Sequence, residues 1–125
     1  MEFRKTLSEV LENQIRLKHR SIKQFSETSK IPYMTISCVL KRGVENTTIA
    51  TLKKICDALG ISITKLFQIQ ALDTIQFKLL NPNYTNDDLI ENILECELIP
   101  KKYYSDSEKE QIAQNFRFVL SEDWI

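Results

Sequence analysis

Only two glycines occur among 125 residues, and each stands just beyond an apolar stripe of helical spacing. With three prolines besides, few positions suit tight turns, so the composition leans helical. Leu7, Val10, Leu11 and Ile15 place an amphipathic helix over about Lys5 to Leu17. After a polar break, Ser21 is a good N-cap for a short second helix through Thr28, with Phe25 facing the core and Ser26 small enough for close helix approach. Ser29-Lys30-Ile31 forms a turn, and Pro32 opens a third helix, where a missing N–H costs nothing because first-turn amides lack intrahelical partners. Ile36, Val39 and Leu40 are its inward stripe, and Gly43 lies in the usual capping place. Thr48 caps a fourth helix (Leu52, Ile55, Cys56, Leu59) that Gly60 stops, and Ser62 caps a short fifth with Ile63, Leu66 and Phe67 on its apolar side.

Beyond Gln70 the periodicity weakens. Residues 71–85 read as a linker with one further helical turn, closing on Asn81-Pro82-Asn83. Thr85 with Asp88, and Ser105 with Glu108, match the S/T-x-x-D/E start of a helix. They open helices to about Leu98 and Ser121, separated by Pro100. The expected architecture is all-α: a five-helix domain over 1–70, a linker over 71–85, and a helical hairpin over 86–125.

Zero net charge conceals an asymmetry. Residues 1–70 carry 12 Lys+Arg against 6 Asp+Glu, and residues 71–125 carry 5 against 11. A basic half followed by an acidic half fits a nucleic-acid-facing module joined to a part with another task, although solvated charges can also fall this way by chance. Apolar runs are too short to span a bilayer, and the N-terminal MEFRKTLSEV scatters charges where a signal peptide would be apolar. A cytoplasmic protein with no membrane association is expected. Cys38, Cys56 and Cys96 lie too far apart in sequence for a CxxC pair and His19 is the sole histidine, so neither a metal site nor a cofactor is expected. His19 reads as an exposed residue of the polar break, and Cys56 as core. No nucleophile–base pair or phosphate-cradling glycine loop points to an enzyme.

The stretch SIKQFSETSKIPYMTISCVLKRG, followed by NTTIATLKKICDALGISITKLF, resembles the Xre/Cro-type helix-turn-helix repressors over residues 7–67. Two departures stand out: Lys30 occupies the turn position that usually holds glycine, and Thr47 follows the loop asparagine where proline is frequent. A left-handed backbone at Lys30 would be strained.

In this docking mode the third helix enters the major groove of double-stranded DNA while the second lies across the backbone. With Ile36, Val39 and Leu40 inward, Met34, Ser37, Cys38 and Lys41 face outward and Tyr33 stands at the tip. The resemblance implies base-edge contacts from Tyr33, Met34 and Cys38, with Ser37 beside them. It implies phosphate contacts from Ser21, Thr35, Lys41, Arg42 and Asn46, with helix-start amides assisting at Ser21. The outward face has no Arg, Asn or Gln for bidentate purine readout, and its thioether, thiol, phenol and hydroxyl suit thymine methyls and shape-dependent contacts. Packing of Tyr33 and Met34 on the second helix, and Cys38 as a small helix filler, are the alternatives.

Two functions follow. The first is a homodimeric repressor, because one recognition helix reads too few bases. The second is a regulator or antitoxin whose acidic hairpin captures a protein partner. In either case the interface would use the hairpin stripes Leu89, Ile93, Leu94, Ile112, Phe116 and Val119, which a lone two-helix unit cannot fully bury.

Overall fold

The computed structural model describes residues 1–121, and within them the chain is all-α. The helices are α1 (Leu7–Lys18), α2 (Ile22–Ser29), α3 (Tyr33–Arg42), α4 (Ile49–Leu59), α5 (Ile63–Lys78), α6 (Asn86–Glu95) and α7 (Asp106–Leu120). A 3₁₀ turn, Val44–Asn46, lies between α3 and α4. Two compact units result: Lys5–Gln70, and Met1–Arg4 together with the chain from Ala71 onward.

In the Lys5–Gln70 unit, α1 begins at Leu7, the first residue of its apolar stripe, rather than at about Lys5, because Thr6 caps it. Thr6 Oγ accepts from the Glu9 amide (3.1 Å) and the Glu9 carboxylate accepts from the Thr6 amide (3.2 Å), a reciprocal box that satisfies two otherwise orphaned donors. The buried face of α1 (Leu7, Val10, Leu11, Ile15) packs on α2, α3, α4 and the 3₁₀ turn. Ser8 Oγ accepts from the Val44 amide (3.2 Å), which ties that turn to α1 with the Val44 side chain buried. Ser21 and Thr48 cap α2 and α4 by accepting from the Gln24 and Thr51 amides. Gly43 ends α3 at φ +102°, where a Cβ would stand 2.9 Å from a Glu45 carboxylate oxygen. The backbone therefore calls for glycine there, whereas the exposed Glu45 side chain can swing away from an added Cβ.

Residues 71–78 are not the linker expected from their mixed polarity: they continue α5 for two more turns. Between 63 and 70 the buried positions are Leu66, Ile69 and Gln70, and between 71 and 78 they are Ala71, Asp73, Thr74 and Ile75. Leu66, Ile69, Gln70, Asp73 and Thr74 share one helical face while Ala71 and Ile75 lie off it, and because three of the seven are polar an apolar periodicity test fails. Phe67, expected on the apolar side of a short helix, is half-exposed.

The second unit is correspondingly more than a hairpin. Ile75, Leu89, Ile90, Ile93, Ala113 and Leu120 form its buried core, with Met1, Leu72, Leu79, Leu94, Ile112 and Phe116 packed around it. Both expected capping boxes, Thr85 with Asp88 and Ser105 with Glu108, are formed. Residues 1–4 belong here too: Arg4 donates from Nε and Nη2 to the buried Asp73 carboxylate (3.2 and 2.6 Å), its amide donates to Thr74 Oγ (3.0 Å), and its guanidinium lies over the Phe77 ring. The hydrogen bond to Asp73, more than their charge attraction, raises the Arg4 pKa further. The last four residues of the hairpin expected over 86–125 lie outside the described residues.

Candidate nucleic-acid interface

The orientation of α3 follows from two side chains. Ile36 and Val39 are buried against the rest of the Lys5–Gln70 unit, while Leu40 is half-buried at its margin. The opposite side therefore faces solvent: Tyr33, Met34, Cys38, Lys41 and Arg42 are exposed, and Thr35 and Ser37 half-buried. Met34 keeps 69% of its surface in solvent and Tyr33 49%, so neither is consumed by packing on α2. Cys38 carries a free, exposed thiol, in contrast to the buried Cys56, whose pKa burial pushes up.

Five of the residues singled out from the sequence come together. Met34, Thr35, Cys38, Arg42 and Asn46 line one open groove of about 370 Å³ beside α3, with Val39 as its apolar floor. Thr47, Thr48 and Thr51 also line it; from the sequence Thr47 reads as loop and Thr48 as a cap, and Thr51 has no role. Their grouping depends on the 3₁₀ turn bringing the start of α4 up to α3, a feature without a local signal. Asn46 Nδ2 donates to the Arg42 carbonyl (2.8 Å) and Thr47 Oγ to the Gly43 carbonyl (3.2 Å), so the loop closes α3 from within the groove.

Tyr33, Ser37, Lys41 and Ser21 lie outside that groove. Ser21 Oγ accepts from the Gln24 amide (3.1 Å), which leaves its own proton free to be donated outward. Lys41 and Arg42 take part in no ion pair among the described residues, so both cations remain available to an external anion. His19 is not simply exposed: it is half-buried, with its ring 5.0 Å from that of Phe25. The unit as a whole carries 11 Lys+Arg against 5 Asp+Glu.

A helix with a buried apolar edge, an exposed tip and unpaired cations at its end, preceded by a capped helix across a three-residue turn, is the arrangement that presents one helix to DNA. The family profile of the Cro/C1-type HTH DNA-binding domain matches residues 10–71. The chain carries a Cro/C1-type helix-turn-helix domain. It is thereby a DNA-binding transcriptional regulator, with α2 and α3 as the helix-turn-helix pair. No curated protein and no solved structure matches the chain significantly. In this Cro/C1-type domain the turn is built without glycine: Lys30 adopts φ 63° and ψ 18°, the left-handed conformation that a side chain makes unfavourable. No single helix among the described residues is long and apolar enough to cross a membrane.

Proposed function

We propose that the protein is a sequence-specific repressor that binds double-stranded DNA as a homodimer. Tyr33, Met34, Ser37 and Cys38 read base edges, and Ser21, Thr35, Lys41, Arg42 and Asn46 hold phosphates. The observation that carries this reading is the exposure of Tyr33, Met34 and Cys38 on one side of α3 while Ile36 and Val39 are buried on the other. Without Arg or an outward amide on that face, specificity would come from thymine methyls and DNA shape rather than bidentate purine contacts. In vitro selection of bound duplexes by the full chain is the test. The expected motif is an inverted repeat whose half-sites are one helical turn apart, and enrichment of no motif would remove sequence-specific regulation.

Dimerisation is assigned to the acidic second unit, through a different surface from the hairpin stripes. Leu89 and Ile93 are fully buried within that unit, and Leu94, Ile112 and Phe116 are half-buried against its core. The segment of α5 beyond Gln70 takes up the faces that two helices alone would leave open. Of the six residues expected at an interface only Val119 is mostly exposed, at 57%, beside Phe118 at 73%. Phe118→Asp is therefore the informative variant, since Phe116→Asp would bury a charge. Loss of dimer mass by sedimentation, with the helical signal intact, is expected. An unchanged mass would move the dimer contact elsewhere.

A further inference from the structure

We propose that Ser26 and Ser29 are positioning residues for the reading helix, setting the angle at which α3 is presented to DNA. The inference rests on α3 being that helix. A left-handed Lys30 needs something to hold it, and both polar backbone groups of the next residue are tied to α2. Ser26 Oγ donates to the Ile31 carbonyl (2.6 Å), and Ser29 Oγ accepts from the Ile31 amide (3.2 Å). Ser29 Oγ also donates to the Ser26 carbonyl (3.5 Å), which closes the two hydroxyls and the Ile31 peptide groups into one latch.

The latch sits where it has most leverage. Pro32 has no amide hydrogen, so the Ile31 groups are the last N–H and C=O that can be anchored before the Pro32 carbonyl accepts the first helical bonds from Thr35 and Ile36. Tyr33 and Met34 follow immediately. Along a helix rising about 1.5 Å per residue, a tilt of about ten degrees at this end displaces Ser37 and Cys38 by about 1 Å and the far end, at Lys41 and Arg42, by about 2–3 Å. A shift of about 1 Å already exceeds the roughly 0.5 Å range of a good hydrogen bond at a base edge. Lys41 and Arg42, on long flexible side chains, can follow a phosphate through such a tilt; Ser37 and Cys38, whose polar atoms lie only two bonds from Cα, cannot. The latch therefore bears on discrimination between sequences more than on overall attraction to DNA.

The test uses the full chain, the duplex selected by the unaltered protein, and an unrelated duplex of equal length. Ser26→Ala with Ser29→Ala should lower the ratio of selected to unrelated affinity about tenfold, the scale of one mismatched base pair, with unrelated-duplex affinity within about twofold. Ser29→Thr, which retains the hydroxyl, should keep the ratio in an otherwise unaltered chain. Adding Lys30→Gly to the double variant separates positioning from stability. Glycine relieves the left-handed strain, so the melting temperature should recover while the ratio stays low. A ratio unchanged in the double variant, or one that recovers together with the melting temperature, would overturn the proposal. Failure of the unaltered protein to select any motif is a different outcome, and would instead strike the reading of α3 on which the inference rests.

Discussion

The two units reach a buried core by different routes. The Lys5–Gln70 unit assembles short helices through brief connections, with hydroxyl caps from Thr6, Ser21 and Thr48 at three helix starts and positive-φ glycines, Gly43 and Gly60, at two helix ends. The second unit relies on segments distant in sequence, with Met1–Arg4 and the second half of α5 closing over α6 and α7. One unit is basic around an exposed helix face, and the other is acidic and buries nearly all of its apolar stripes. Local chemistry is thus enough to mark most helix starts in both, but it misses the run of α5 into the second unit and what that unit packs against.

The largest effect expected from this contrast is on stability. Ile93→Ala should destabilise the second unit by about 2–5 kcal/mol, as for a truncated core side chain, whereas Val119→Ala should stay within about 0.5 kcal/mol. Urea denaturation followed by circular dichroism compares them. Equal small losses would mean that Ile93 is not in a packed core.

Binding should respond next, through the cations of the first unit. Lys41→Ala and Arg42→Ala should each weaken attachment to all duplexes alike and lower the slope of log affinity against log salt by roughly one. A shifted sequence preference with the slope intact would contradict their assignment to phosphates. Smaller still is the contribution of Met34. Replacing a contacted thymine by uracil should weaken binding a few-fold in the unaltered protein and clearly less in Met34→Ala. Equal losses in the two proteins would take Met34 out of the base-reading set.

The subtlest effect belongs to the second unit at alkaline pH. Burial, reinforced by Asp88 and opposed by Arg117, pushes the Tyr84 phenol up to about 12, and its hydroxyl donates to Asn92 Oδ1 (2.5 Å). A raised folded-state pKa favours the neutral form, so the stabilisation is complete below the ordinary tyrosine range near pH ~10. It disappears as pH rises towards about 12. Tyr84→Phe should flatten that alkaline loss of stability in denaturation midpoints taken across the range; an identical pH profile would rule the phenol out as its source.

What the sequence disclosed follows the same division. Most helix starts with a hydroxyl cap and an apolar stripe were legible, including both boxes of the acidic unit, because capping is a contact over three residues. The Thr6 box of α1 is the exception, its stripe alone placing that start at about Lys5. The outward set on α3 was legible because Ile36 and Val39 fix the phase of the helix. The continuation of α5 was not, since Asp73 and Thr74 are polar residues buried by partners, and Asp73 finds Arg4 across 69 positions. Long-range pairs of that kind leave no periodic trace. The same gap misplaced the interface: Leu89 and Ile93 look unpartnered only when residues 71–85 are read as a linker. The threonines of the groove beside α3 escaped notice for a related reason, as Thr47, Thr48 and Thr51 join Met34 and Arg42 only through the fold.

The exposed side of α3 is the centre of the account, and its thiols offer a direct readout. Cys38 is exposed on that side, Cys96 half-buried in the other unit, and Cys56 buried. Alkylation of the full chain by iodoacetamide, read residue by residue by mass spectrometry, should proceed fastest at Cys38. Saturating selected duplex should slow Cys38 by about tenfold or more and leave the Cys96 rate unchanged. An undiminished Cys38 rate in the fully bound complex would mean that this side of α3 does not face DNA.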